Sequence, residues 1–177
     1  MSNKHVQRVC VAILAGTCMF GAGAYASDLG LMSDMAPSEL SGGTNSTANI
    51  TQAGQLGRAS ITQATGAQQH ARILQASGTA NSDAQILQSG SGNNAVAVQL
   101  SGSNNALNLT QNGDGNLAVA GQMGSGNQIS INQNNGGNSA AAAQIGAQNH
   151  IDITQLGNQS IAVTQIGFGG SFKVVQP

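Results

Sequence analysis

An all-β solenoid with cross-β stacking is the fold class that this 177-residue sequence predicts, and three observations predict it. Glutamine recurs about every eleven residues. Within each unit the residue character alternates with period two, which is the period of a strand. From one unit to the next, the apolar pairs alternate between small and large. Together these give strand, tight turn, strand, turn, in about six coils of some 22 residues each.

The first element precedes the repeat. Residues 1–26 read as a secretory signal peptide. Lys4 and Arg8 supply a positive start, Val9 to Phe20 is apolar, and Ala24-Tyr25-Ala26 forms a small-residue cleavage site before Ser27. The apolar run is too short to span a bilayer. A lipid-anchor reading of Leu14-Ala15-Gly16-Thr17-Cys18 fits poorly, because Thr17 stands directly before the cysteine. Both cysteines, Cys10 and Cys18, fall in this segment, so the processed chain contains none. An exported chain without a disulfide must draw its stability from packing or assembly. Residues 27–45 form a short leader with Asp28, Asp34, Glu39 and scattered Leu and Met. The repeat occupies 46–177.

The repeat is marked by Gln52, Gln63, Gln75, Gln88, Gln99, Gln111, Gln122, Gln133, Gln144, Gln155, Gln165 and Gln176. Asn93, Asn105, Asn116, Asn127, Asn138 and Asn149 divide the later units, five of which fit Q-x4-N-x5-Q without a gap. Glycine and small polar residues lie between each Gln and the next Asn, as in Met123-Gly124-Ser125-Gly126. Such residues make turns and disfavour helix.

Between each Asn and the next Gln, one strand face carries the apolar pair. The pairs run Ala95 and Ala97, Leu107 and Leu109, Ala118 and Ala120, Ile129 and Ile131, Ala140 and Ala142, Ile151 and Ile153. Identical units would have no reason to alternate. Two strands facing each other across a thin core would, because a small pair opposite a large pair fills the gap to interior density. Coils at about 4.8 Å give a stack about 29 Å long. The early units (Ala48/Ile50, Ala59/Ile61, Ala71/Ile73, Ala84/Ile86) mix sizes within one strand, and the final ones (Ile161/Val163, Phe172/Val174) are large on both sides.

The Gln and Asn side chains flank this core and point inward. Unpaired, they would be costly. Stacked in register, each carboxamide can donate to its equivalent in the next coil and form a ladder along the stack. Asn also suits turns, whereas Gln has no special turn preference.

A solenoid has two ends with unpaired backbone groups, which soluble solenoids cap. Here the last strand ends at Gln176 with only Pro177 after it, so that end reads as uncapped and ready for head-to-tail stacking. Phe168 and Phe172, the aromatics of the final coil, are candidate end-interface residues, with Phe172 expected in the core and Phe168 at the exposed end. Arg58, Arg72, Asp83, Asp114 and Asp152 are expected on the outer face, either as solvated charges or as gatekeepers whose stacked like charges slow premature polymerisation.

The Q-x4-N-x5-Q units, their S/N-x-[A/L/I]-x-[A/I/V]-x-Q strands and their G-x-G-N turns resemble the curlin repeat of bacterial curli, over about residues 46–176. That resemblance implies an extracellular functional amyloid of a Gram-negative bacterium, with subunits exported through a dedicated outer-membrane channel. They would polymerise with themselves and other curlin subunits into surface fibres for biofilm formation and adhesion. The family has a major fibre subunit and a minor, nucleating one. The chain lacks a Gly- and Asn-rich leader, and Ser27-Asp28-Leu29-Gly30-Leu31 with Ser38-Glu39-Leu40-Ser41 looks more like the minor type. Its final coil is less basic than that type implies, since Lys173 is the one charge after Asp152.

Composition argues against other classes. Charged residues are 6% and aromatics 2% of the chain. Five Lys and Arg cannot track a phosphate backbone, which excludes nucleic acid as a partner. After processing, Arg58, Arg72 and Lys173 stand against Asp28, Asp34, Glu39, Asp83, Asp114 and Asp152, a net charge of −3. His70 and His150 lack zinc-ligand spacing. Asn112-Gly113-Asp114-Gly115 resembles one calcium-binding turn, but that chemistry needs an Asp in consecutive turns. No nucleophile, base and acid converge, so neither an enzyme nor a cofactor nor a small-molecule substrate is expected. The competing class is a soluble monomeric solenoid that binds a surface or ligand. Its ranked Thr array is interrupted here, with Thr51, Thr62, Thr110, Thr154 and Thr164 broken by Gly121, Asn132 and Ala141.

Overall fold

The structure is a computed structural model that describes residues 45–177. The signal peptide read over 1–26, and all but the last residue of the leader read over 27–45, lie outside the described residues.

Twelve strands alternate between two parallel sheets. One sheet holds the odd strands in chain order: β1 (Thr47–Gln52), β3 (His70–Ala80), β5 (Asn94–Ser103), β7 (Leu117–Ser125), β9 (Ser139–Ala147) and β11 (Ser160–Phe168). The other holds the even strands: β2 (Arg58–Gln63), β4 (Asp83–Ser89), β6 (Ala106–Asn112), β8 (Gln128–Asn134), β10 (His150–Gln155) and β12 (Ser171–Gln176). Each interior strand therefore pairs with the strands one coil before and after it, the edge strands β1, β2, β11 and β12 with one only, and each coil spends one strand on either sheet. This is a β-solenoid of about six turns, with no helix among the described residues.

Register places equivalent residues above one another. Gln111 lies against Gln88 on one side and Gln133 on the other. The rise in residues per coil shrinks along the chain, from Gln63 against Gln88 at one end to Gln155 against Gln176 at the other. The surplus in the early coils sits in the arcs, and the strands keep their register. In β3 the pairing with β5 slips between Gln75 and Gly78. Thr79 turns inward there, buried, and its hydroxyl donates to the Ala76 carbonyl at 2.8 Å. The bulge absorbs the extra residues without moving Gln75 off Gln99.

The core lies between the sheets. The odd sheet contributes Ala71 and Ile73, then three alanine pairs, Ala95/Ala97, Ala118/Ala120 and Ala140/Ala142. The even sheet contributes Ala84 and Ile86, then Leu107/Leu109, Ile129/Ile131 and Ile151/Ile153. All are buried in one cluster. Small residues on one wall meet large ones on the other, and each fully buried Leu or Ile stabilises the fold by about 1.5–3 kcal/mol.

The turns explain why glycine recurs. In G-x-G arcs both glycines have positive φ, as at Gly124 (108°) and Gly126 (68°). A Cβ on Gly124 would stand 1.8 Å from the Gly146 carbonyl oxygen of the next coil. Only glycine allows successive arcs to nest at strand spacing.

Candidate functional site

Two Gln columns run along the stack, one per sheet. In the even sheet, Gln63 Nε2 donates to Gln88 Oε1 (3.0 Å), Gln88 to Gln111 (2.8 Å), Gln111 to Gln133 (3.0 Å), Gln133 to Gln155 (2.8 Å) and Gln155 to Gln176 (2.9 Å). In the odd sheet, Gln75 donates to Gln99 (2.8 Å), Gln99 to Gln122 (3.1 Å), Gln122 to Gln144 (3.1 Å) and Gln144 to Gln165 (3.0 Å). Every donor points toward the C-terminal end.

The second amide hydrogen has its own partner. It goes to the carbonyl at the start of the opposite sheet's preceding strand, as in Gln99 to Asp83 (2.9 Å), Gln122 to Ala106 (2.9 Å) and Gln133 to Leu117 (2.9 Å). Each Gln that makes both bonds, from Gln63 to Gln133 and again Gln155, thus ties consecutive coils together and also ties the two sheets at the core's edge. The side chains satisfy their polar groups while buried, which removes the desolvation penalty that inward amides would otherwise carry.

Gln52 departs from the expected column. It sits in register with Gln75, yet its Nε2 donates to the Gly57 carbonyl, and the buried Gln75 Oε1 has no partner. The odd ladder therefore starts at Gln75. Gln52 lies on an exposed terminal strand, where no preceding rung among the described residues holds it inward.

The Asn residues form a different device from the expected amide-to-amide ladder. Asn93, Asn105, Asn116, Asn127, Asn138 and Asn149 are all buried. Their Oδ1 atoms accept backbone N–H groups from the following coil: Asn116 N–H to Asn93 (3.0 Å), Asn127 to Asn105 (3.0 Å), Asn138 to Asn116 (3.1 Å) and Asn149 to Asn127 (3.2 Å). Their Nδ2 groups donate chiefly to arc carbonyls, such as Asn93 to Gly113 (2.7 Å) and Asn127 to Gly146 (3.0 Å). Direct contacts between Asn side chains occur at Asn138 to Asn116 (3.0 Å) and Asn149 to Asn127 (3.2 Å). Both side chains bridge successive coils, but the shorter Asn does so chiefly through backbone groups beside the turn, as in Asn93 to the Gly113 carbonyl, whereas Gln meets the equivalent Gln.

Three further polar residues occupy the Asn columns in the early coils: Ser46, Gln69 and Ser82, all buried. The Ser46 and Ser82 hydroxyls accept the N–H groups of Gln69 (3.2 Å) and Asn105 (3.4 Å), the work that Asn Oδ1 does later. The Q-x4-N pattern does not reach them, because the residue type changes. Their signal was the position before the first strand residue.

The outer-face charges do not form stacked columns of one sign. Arg58 pairs in register with Asp83, its opposite, and Lys173 lies 3.4 Å from Asp152 in an ion pair. Arg72 stands between Asn49 and Val96, and Asp114 accepts the Ser91 N–H at 2.6 Å. Complementary or isolated placement removes the like-charge repulsion expected within one chain.

At the C-terminal end, Gln165 and Gln176 accept from the rung below and donate to nothing among the described residues. Phe168 is 75% exposed and Ile166 74% exposed. Phe172 lies in the inward register above Ile151 but is 39% exposed rather than buried, since β12 is the edge strand of its sheet among the described residues. Gly167 keeps the arc conformation (φ 129°), yet a Cβ there would meet nothing within 4 Å. The terminal coil thus has the shape of an internal coil with its neighbour removed.

No curated protein matches the chain. The family model for the Curlin associated repeat matches residues 79–113 and 102–134, the central coils in which both Gln ladders and the Asn staples are regular, and this supports the curlin repeat family for the chain.

Proposed function

We propose that this protein is a structural subunit of an extracellular curli-type amyloid fibre, nucleating or building surface fibres that serve biofilm formation and adhesion. The observation that carries the reading is the pair of Gln ladders, whose joint between coils is equally suited to a joint between molecules. Gln165 and Gln176 end as donors, and among the described residues Gln52 holds the outermost Gln position of the odd sheet at the other end, on the exposed strand β1. Among the described residues, the outer edges of β1, β2, β11 and β12 add the backbone groups for pairing. The curlin repeat match supports self-assembly and an extracellular place, and the repeat with its β-solenoid supports a non-enzymatic role. Export through the curli outer-membrane channel belongs to the same reading.

Within that reading we favour the minor, nucleating subunit over the major one, on the leader sequence after residue 26. Gatekeeping by Arg58, Arg72, Asp83, Asp114 and Asp152 belongs to the same reading as outward charge on the exported chain, not as repulsion inside one stack.

Incubating the purified chain without its first 26 residues tests the proposal. A sigmoidal thioflavin signal with fibres is expected, and a chain that stays monomeric at micromolar concentration contradicts it in favour of a soluble surface-binding solenoid. Seeds of this protein that accelerate polymerisation of another curlin would support the nucleating role, and seeds without effect would favour the major-subunit role.

A further inference from the structure

The two outer faces of the solenoid differ in kind. On the even sheet the outward residues are mainly polar, among them Asn108, Thr110, Ser130, Asn132, Asp152 and Thr154. On the odd sheet, beyond Arg72, a first outward column (Asn94, Leu117, Ser139, Ser160) is mostly polar, and the three columns after it are uncharged and, Thr164 apart, apolar. One column is Val96, Val119, Ala141, Ala162; the next is Val98, Gly121, Ala143, Thr164; the third carries Met123, Ile145 and Ile166 in register. Val119 is 40% exposed, and the members of the third column at least as much. The middle column is a shallow trough, with open space above Gly121. Nothing in the core or the ladders requires these outward residues to be apolar.

We infer that the outer face of the odd sheet is a lateral docking surface for the same face of a second stack of this chain. The inference rests on the fibre reading above. Area decides between a dimer of monomers and a pairing of fibres. Strand rise of about 3.3 Å over five residues and four coils at about 4.8 Å give a patch of about 300 Å² per copy. About 600 Å² for two copies falls below the roughly 1,000 Å² that a stable interface needs. Two free molecules therefore do not hold together through it. In a fibre the patch recurs in every molecule, and one stack engages another at many points at once.

Column sizes also choose the relative direction. A two-fold axis along the stack sets the large third column of each face against the first column of the other, which shrinks to Ala141 and Ala162 opposite Ile145 and Ile166. The trough then faces the trough. A two-fold axis across the stack would set large column on large column and hold the sheets apart. Paired stacks accordingly run in the same direction, with dry sheet packing of about 10 Å or less between them.

Fibre mass per length, measured by scanning transmission electron microscopy, reads the pairing. Wild-type fibres are expected at twice the mass of one chain per ~29 Å of stack. Val119→Glu puts one carboxylate on the face per molecule, spaced beyond the ~8 Å screening length along a stack, so stacking persists. It should halve the mass per length while leaving thioflavin kinetics within twofold. Ser130→Glu on the even sheet should leave pairing intact. Equal mass per length in wild type and Val119→Glu overturns the inference, as does halving by Ser130→Glu. Equal mass with loss of binding to phosphatidylcholine vesicles would also overturn it and assign the face to lipid. Absence of any fibre in wild type would instead remove the fibre reading itself, and this inference with it.

Discussion

At the residue scale, the division of labour between Gln and Asn is a matter of reach. Both offer the same carboxamide, and the extra methylene of Gln lets it meet its equivalent in the next coil and a carbonyl across the core. Gln133 shows the consequence: it accepts from Gln111, donates to Gln155 and donates to Leu117. Replacing Gln133 by Ala leaves buried groups on both neighbours unsatisfied, at about 1–3 kcal/mol each. The expected result is a markedly lower guanidinium midpoint for fibre dissolution. The exposed Gln85→Ala, two coils away in the same sheet, should change stability by about 0.5 kcal/mol or less. Equal midpoints for the two variants would contradict a structural role for the ladder. The Lys173–Asp152 pair is a weaker device. Its lysine is 70% exposed, so Asp152→Asn should cost no more than about 1 kcal/mol, read by the same denaturant midpoint, less still once salt screens the pair.

At the element scale, the arcs dictate which glycines are replaceable. Gly124→Ala drives a Cβ into the Gly146 carbonyl at a positive φ and should prevent the coil from closing, read as loss of β signal in circular dichroism. Gly167→Ala carries only the conformational cost of a left-handed residue, about 1–2 kcal/mol, within one molecule. In a fibre the next molecule's first arc would occupy the space above it. Gly167→Ala should therefore slow elongation far more than it alters the fold of seeds or monomers, measured by seeded thioflavin kinetics. Phe168 belongs to the same joint: removing a side chain that the joint would bury, at about 1.5 kcal/mol or more, should raise the critical concentration for polymerisation about tenfold in Phe168→Ala. An unchanged critical concentration would remove Phe168 from the interface.

How far the elements were legible in the sequence follows from the same geometry. A period of two, a Gln every eleven residues and alternating pair sizes are direct images of strands, register and two facing walls, so fold class and topology could be read from them. The Asn geometry could not, because side-chain length decides its partner and length leaves no trace in spacing. The early coils were obscured where extra residues in the arcs, such as those around Thr79, stretch the interval between Gln75 and Gln88. The exposure of Phe172 and the release of Gln52 are end effects: each residue type suits an internal coil, and only the missing neighbour changes its surroundings. The apolar outer face was present in the letters as Val96, Val98, Val119 and Ala141, but alternation assigns it to solvent and draws attention inward.

At the scale of the whole molecule, the chain is a short segment of a one-dimensional lattice. Its coils are held by neighbour-to-neighbour contacts, and among the described residues the first and last coils each have one neighbour fewer than those between them. Donors all pointing toward the C-terminal end give the stack a direction, and a polar stack grows by joining unlike ends. The most direct test of this account is X-ray diffraction from aligned fibres of the chain lacking residues 1–26. The account predicts a sharp meridional reflection at about 4.7–4.8 Å, from strands lying across the fibre axis. Aligned fibres without that meridional reflection, or with it on the equator, would contradict the stacking of coil upon coil from one molecule to the next.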